Sequence, residues 1–248
     1  MTFFAIIPAR YASSRLPGKP LLDIAGKPMI QHVYESAKKS GAKEVFIATD
    51  NREIQKASEM FGARVFMTSE EHRSGTERIH EVVQKLGLSP DDVVVNVQAD
   101  EPLIPASAIS QVAVNLSGRE DFGIATLCKS VSRSADIDDP NVVKVVMNKF
   151  GEALYFSRAS IPYFSNSEKK DYFRHIGIYA YRVEALYQFV SFPAASYENA
   201  ENLEQLRALY NGIKIHVEVC SYNIPAGVDT QKDLKLSLIH ISEPTRPY

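Results

Sequence analysis

Short apolar runs alternate with amphipathic segments through the first hundred residues, and this alternation restricts the fold more than any other feature. Phe3 to Ile7 is a continuous apolar run ending at Pro8, as expected of a strand buried on both faces. Pro28 opens a helical pattern with Met29, Ile30, Val33, Tyr34 and Ala37 at helical spacing, and Gly41 is its expected stop. Glu44 to Ala48 is a second strand, ending at Thr49 and Asp50. Arg52 to Phe61 is a second helix closed by Gly62, and Val65 to Met67 is a third strand. A helix from Thr76 to Leu86 then leads to the apolar strand Val93 to Val97. The order β-α-β-α-β-α-β predicts an α/β fold, doubly wound, with a mostly parallel sheet covered on both faces. Ligands bind such sheets at the carboxyl ends of the strands, so the polar residues after Ile7 and after Val97 carry functional weight.

The second half reads differently. Val142 to Met147, Gly177 to Tyr181 and Ile213 to Val219 have strand character. In the last, Ile213, Ile215, Val217 and Val219 alternate with Lys214, His216 and Glu218, which predicts one buried and one polar face. Ser160 to Arg174 is polar and aromatic, and reads as a long loop or small lobe able to cover a site. The expected organisation is one domain over residues 1–236 with a lobe at about 140–200. Asp229 to Leu234 leads into a helix, but Pro244 and Pro247 follow and no apolar stripe continues, so the helix is not expected to extend. Residues 237–248 read as a non-native tail, the alternative being a native disordered end.

Composition removes several function classes. With 45% hydrophobic residues, the 248-residue chain has ample material for a core. A formal net charge of -2 gives no footprint for nucleic acid, so any polyanion site must be a local cluster of cations. Cys128 and Cys220 form no CxxC and are expected to be buried and unbridged. The apolar run near Met1 is too short for a signal peptide or a membrane span, which makes a cytoplasmic location, without membrane insertion, the expectation.

Five clusters have chemical potential. Arg10, Arg15 and Lys19 share one loop after the first strand, with Ser13, Ser14 and Gly18 among them; guanidinium forks, an ammonium and accessible backbone amides suit phosphate oxygens. The loop is neither a GxxxxGK[ST] phosphate loop nor a GxGxxG fingerprint, and a solvated basic loop is the plainer reading. Gln98, Asp100 and Glu101 follow the strand Val93 to Val97; a carboxylate there suits Mg²⁺, and a simple Asp-Glu-Pro turn is the alternative. Asp229 is either a second metal ligand or a helix N-cap. Ser74 or Thr76 starts a helix with Glu77 and Arg78 in its first turn. Arg174, His175 and Tyr179 form the fifth cluster, and a lone histidine is more often structural than functional.

Together the stretches IPARYASSRLPGKPLLDIAGKPMI, SGTER, VNVQADEP, ALYFSRASIPYF, RHIGIYAYR, LEQLR and GVDT resemble the 3-deoxy-manno-octulosonate cytidylyltransferases, in family order from about Phe4 to about Leu234. The resemblance implies a nucleotide-diphospho-sugar transferase type of α/β fold, a small dimerisation or lid lobe, and a homodimer. It implies CTP and 3-deoxy-D-manno-octulosonate as substrates, Mg²⁺ as cofactor, and a role in bacterial lipopolysaccharide synthesis. By resemblance, Arg10, Ser14, Arg15 and Lys19 hold the triphosphate, Ser74 and Arg78 help position the cytidine, and Asp100 and Asp229 bind the metal. Gln98, Arg158, His175, Tyr179, Glu204 and Gln205 would line the acid-sugar pocket. Arg10, Arg15, Lys19, Asp100 and Asp229 are the expected catalytic set. One position departs from the pattern: Ala99 stands where the family usually has glycine, which is costly if that backbone needs a positive φ.

The expected reaction is an in-line displacement at the α-phosphorus of CTP by the anomeric hydroxyl, driven by positioning and charge neutralisation. The alternatives are a cytidylyltransferase for an amino analogue or a sialic acid, and a CTP-binding homologue impaired by Ala99 or the tail. A dinucleotide-binding oxidoreductase is disfavoured, because no GxGxxG follows the first strand.

Overall fold

A computed structural model describes residues 2–12, 16–165, 171–220, 222, 224–225, 227–228 and 230–242. Its strands are β1 (Phe3–Ala9), β2 (Asp23–Ile24), β3 (Lys27–Pro28), β4 (Glu44–Thr49), β5 (Arg64–Met67), β6 (Val93–Asn96), β7 (Ile124–Ser130), β8 (Lys144–Met147), β9 (Ala153–Ser157), β10 (Phe173–Arg182) and β11 (Ile215–Val219). The α-helices are α1 (Met29–Lys39), α2 (Arg52–Met60), α3 (Gly75–Leu86), α4 (Ala106–Ser117), α5 (Val183–Ser191), α6 (Ser196–Glu201), α7 (Gln205–Tyr210) and α8 (Gln231–Ser242).

Among the described residues, nine strands make one sheet, ordered β11-β7-β10-β6-β1-β4-β5 along its main path, with β8 and β9 branching from β10. β1 pairs in parallel with β4, Ile6 opposite Phe46, and with β6, Ala5 opposite Val95. β4 with β5 and β7 with β11 are also parallel, whereas β10 runs antiparallel to both β6 and β7. The chain leaves β1 toward β4 and β5, then returns to place β6 on the other side of β1. The crevice beyond the carboxyl ends of β1 and β6 is therefore the point where strand order reverses.

Both faces are covered, as double winding requires. Ile30, Val33 and Ala37 of α1, Ile54 of α2 and Ile109 and Val112 of α4 pack on one face with Ala5, Ile7 and Val95. Ile79, Val82 and Val83 of α3 and Leu186 and Phe189 of α5 pack on the other with Phe4, Ile6 and Val94. Ile6, Ile7, Val94 and Val95 are all fully buried, so β1 and β6 have no solvated face. That explains their unbroken apolar runs.

Three expectations need correction. The helix after Leu234 does not stop: α8 runs to Ser242, with Leu234, Leu238 and Ile241 against Ile24, Met29 and Val228. These apolar residues, spaced four and three apart, form an apolar stripe on α8. His216 is not on a solvated face of β11: it is 1% exposed, covered by Phe122 and by the turn at Gly151. The strand expected over Gly177 to Tyr181 spans Phe173–Arg182. A β-bulge between Ile176 and Tyr179 interrupts its pairing with β7 and hides its alternation. Cys128 and Cys220 are free and buried, as expected.

Candidate active site

Two neighbouring cavities open at the reversal point. The first, of about 280 Å³, is lined by Pro8, Ala9 and Arg10 beyond β1, by Lys19, by Ser74, Gly75 and Arg78 at the start of α3, and by Gln98, Ala99 and Asp100 beyond β6. The second, of about 880 Å³, shares Gln98 and Asp100 with it and adds Glu101, Arg174, His175, Tyr179, Tyr181, Glu204 and Gln205. The shared wall is the QADE segment after β6. A group bound in one cavity is thus adjacent to a group in the other.

The first cavity is cationic on one side. Arg10 is exposed at the end of β1. Lys19 is largely buried, and its ammonium donates to Asp100 Oδ2 at 2.7 Å. Ser14 and Arg15 lie outside the described residues. The start of α3 faces this space. Ser74 caps the helix, its hydroxyl accepting from the Glu77 N–H at 3.2 Å, so the capping alternative and the cavity-lining role hold together. A Cβ on Gly75 would stand 3.1 Å from Pro8 Cγ, so glycine permits the close approach of α3 to the end of β1. The helix N-terminus adds partial positive charge favourable to an anion.

Arg78 is 2% exposed and locked in place. Its guanidinium donates to Asp50 Oδ2 at 2.6 Å, to the Ser69 carbonyl at 3.3 Å, and to the Thr68 hydroxyl. Asp50 was not singled out from the sequence. The signal was available: Asp50 follows β4, as Arg10 follows β1 and Gln98 follows β6. His72, also missed, lines the same cavity and pairs with Glu81 Oε2 at 2.6 Å.

In the second cavity, the bulge at Gly177 brings His175 and Tyr179 to one side. The His175 ring lies between Phe156 and Tyr179, with Nε2 3.0 Å from the Thr126 hydroxyl. Burial pushes its pKa down to about 3, so the ring is neutral near pH 7. Burial pushes the Tyr179 phenol well up, and the neighbouring Tyr181 and Glu204 add to this. Glu204 accepts from the Thr76 hydroxyl at 2.8 Å. Its other oxygen is shielded from solvent without a hydrogen-bond partner, and burial raises its pKa. Glu101 is raised to about 8 by burial and by Asp100, against the pull of Arg174.

Arg158 lines neither cavity. Its guanidinium donates to the carbonyls of Glu201 at 2.7 Å, Pro140 at 2.8 Å and Asn202 at 3.3 Å, just before Glu204 in the chain. Asp229 lies outside the described residues, but its neighbours reach Asp100. The Val228 N–H donates to the Asp100 carbonyl at 2.8 Å, and a Cβ on Gly227 would stand 3.2 Å from that oxygen. The cap offered as an alternative role for Asp229 is made by Thr230, which exchanges hydrogen bonds with Asp233. Among the described residues, no three His, Cys, Asp or Glu side chains converge as a metal cluster.

Residues 4–215 match the family model described as cytidylyltransferase. The chain belongs to the cytidylyltransferase family. This cytidylyltransferase is 54% identical over 245 residues to a 3-deoxy-manno-octulosonate cytidylyltransferase of Cellvibrio japonicus (strain Ueda107), covering 95% of this chain and 96% of that protein. It is 53% identical over 242 residues to the protein of the same name from Hahella chejuensis (strain KCTC 2396), covering 94% and 95%. Among solved structures, it is similar to a CMP-2-keto-3-deoxy-manno-octonic acid synthetase complexed with CTP, with a TM-score of 0.93, 43% identity, and coverage of 98% of this chain and 100% of that one.

Proposed function

We propose that this cytidylyltransferase couples CTP to 3-deoxy-D-manno-octulosonate, giving CMP-3-deoxy-D-manno-octulosonate and diphosphate for bacterial lipopolysaccharide synthesis. One observation carries the reading: the two cavities meet at Gln98 and Asp100. The named relatives, 53–54% identical over nearly their whole length, supply the sugar's identity.

Arg10 and Lys19, joined by Ser14 and Arg15, hold the triphosphate and offset the charge that develops on the departing diphosphate. Ser74 and the locked Arg78 position the cytidine. Gln98, Tyr179, Glu204 and Gln205 orient the acid sugar, and neutral His175 serves as a hydrogen-bonding group rather than a cation. Arg158 belongs to this pocket through the segment it ties down. The anomeric oxygen forms its bond to the α-phosphorus, the bond to the β-phosphate oxygen breaks, and the hydroxyl proton passes to solvent.

Mg²⁺ is the proposed cofactor. Magnesium needs only one or two protein carboxylates, which suits a site without a three-residue cluster. The Asp100 carboxylate already pairs with a cation, the Lys19 ammonium at 2.7 Å, and Gly227 and Val228 lead from its backbone toward Asp229, the proposed second ligand. When bound, the metal supplies charge neutralisation at the phosphates and acidification of a coordinated hydroxyl.

A homodimer in the cytoplasm is the proposed assembly and location. Exposed Leu154, Tyr197 and Tyr210 provide apolar surface that a second copy would cover. Among the described residues, no helix is long and apolar enough to cross a membrane.

Pyrophosphate release tests the reading. With CTP, Mg²⁺ and octulosonate present, turnover is expected, and omission of any one abolishes it. Faster turnover with the amino analogue or with a sialic acid would reassign the sugar.

A further inference from the structure

The start of α3 touches both cavities, and both Ser74 and Thr76 support Glu204. Ser74 and Gly75 line the nucleotide cavity, and one residue on, Thr76 is 2% exposed with its hydroxyl on Glu204 of the acid-sugar cavity at 2.8 Å. Glu204 immediately precedes α7 and lies 128 positions from Thr76 in the chain. Its second oxygen has no hydrogen-bond partner, and the Arg207 guanidinium is 4.0 Å away, outside hydrogen-bonding range. The Tyr181 phenol lies within reach of both Thr76 and Asn96 and lines the same acid-sugar cavity. Thr76 is thus the principal hydrogen-bond donor, ahead of the Ser74 hydroxyl, to a carboxylate that lines the acid-sugar cavity.

A plain capping role does not account for this contact. The cap is made by Ser74, and the Thr76 hydroxyl donates instead to Glu204, outside α3. A buried hydroxyl aimed at a carboxylate restricts that carboxylate to few orientations, and an acceptor hydroxyl must be presented at a defined angle for in-line attack.

We propose that Thr76 is a positioning residue: it orients Glu204 toward the acid sugar and ties that orientation to the helix turn lining the nucleotide cavity. The inference rests on the functional reading above, because it concerns the same two sites. Thr76 touches neither substrate and acts through Glu204.

The test is steady-state pyrophosphate release by wild type, Thr76→Val, Thr76→Ser, Glu204→Ala and the Thr76→Val/Glu204→Ala double variant, with CTP and octulosonate varied separately. Valine keeps the shape and removes the donor; serine keeps the donor. Thr76→Val is expected to raise KM for octulosonate about tenfold or more while KM for CTP stays within about twofold, the loss of one hydrogen bond to a charged group. Thr76→Ser is expected to restore the wild-type KM, and the double variant to be no worse than Glu204→Ala alone, since that variant has already lost the acceptor of the tie. Equal increases in both KM values, an unchanged octulosonate KM, or additive losses in the double variant would overturn the proposal. Should Thr76→Val fail to fold, Thr76→Ala replaces it with the same expected pattern. A wild-type protein that releases no pyrophosphate would overturn the functional reading and this inference with it, whereas a competent wild type with an unaltered Thr76→Val overturns the inference alone.

Discussion

Asp50 is the counter-charge that fixes Arg78 in the first cavity, the proposed nucleotide site. Their side chains are 17% and 3% exposed, so each would be costly to leave unpaired. Replacing Asp50 with Asn should raise KM for CTP about tenfold and cost about 3 kcal/mol of stability, because Arg78 would remain buried without its carboxylate. Urea unfolding and initial rates at varied CTP measure the two effects; an unchanged KM would show that Arg78 does not need this partner. Asp50 was hard to read because a single acid after a strand looks like a turn residue, and its partner lies 28 positions away. Ala99 illustrates the opposite case. The sequence raised a penalty if its backbone needed a positive φ, but among the described non-glycine residues only Ala25 and Asn202 have one, so that strain is absent. The added methyl is accommodated at the wall of the first cavity, where Ala99 is 8% exposed.

At the scale of elements, α3 is held at both ends of its first turns. Besides its contacts to Pro8 and Glu204, Glu81 clamps the preceding loop to the helix. Burial alone would raise its pKa, but hydrogen bonds from Lys85, the Ser69 N–H and His72 outweigh it and bring the value down to about 2, against 4.5 for a free glutamate. The folded value is the lower one, so the contribution to stability is complete above pH 4.5 and is lost as pH falls through 2. Glu81→Gln should therefore flatten the acid limb of stability, by on the order of 1–2 kcal/mol between pH 5 and pH 2 after allowance for solvent screening. Thermal unfolding across that range checks it; parallel limbs for variant and wild type would contradict it. The elements most legible in the sequence were β1, β4, β6, α1 and α3, whose burial produces unbroken or clearly periodic apolar patterns. β10 was read short because cavity-facing Arg174 and His175 break its alternation, as does the bulge beside Gly177. α8 was read short because its end was judged by the prolines beyond it rather than by Leu234, Leu238 and Ile241.

Across the whole molecule, the two halves of the chain divide the work. The first half, with β1, β4, β5 and β6 parallel, supplies the cationic loop, the α3 turn and Asp100; the mixed second half, around β10 and α7, supplies most of the wall of the proposed acid-sugar cavity. The first site was legible because strand order and strand-end chemistry agree in one local stretch. The second came from resemblance, since Gln98, His175, Tyr179, Glu204 and Gln205 are scattered in sequence and share a cavity only after β10 inserts antiparallel between β6 and β7. Arg158 shows the limit of that route: its motif is present, but its guanidinium is engaged by three backbone carbonyls beside the cavity. The central claim is that chemistry occurs where the cavities meet, at the Asp100 carboxylate. Pyrophosphate release by Asp100→Asn, with CTP binding followed in parallel by calorimetry, tests it most directly. The account predicts a fall in turnover of about a hundredfold or more with the fold intact and CTP still bound; turnover near that of the wild type would contradict it.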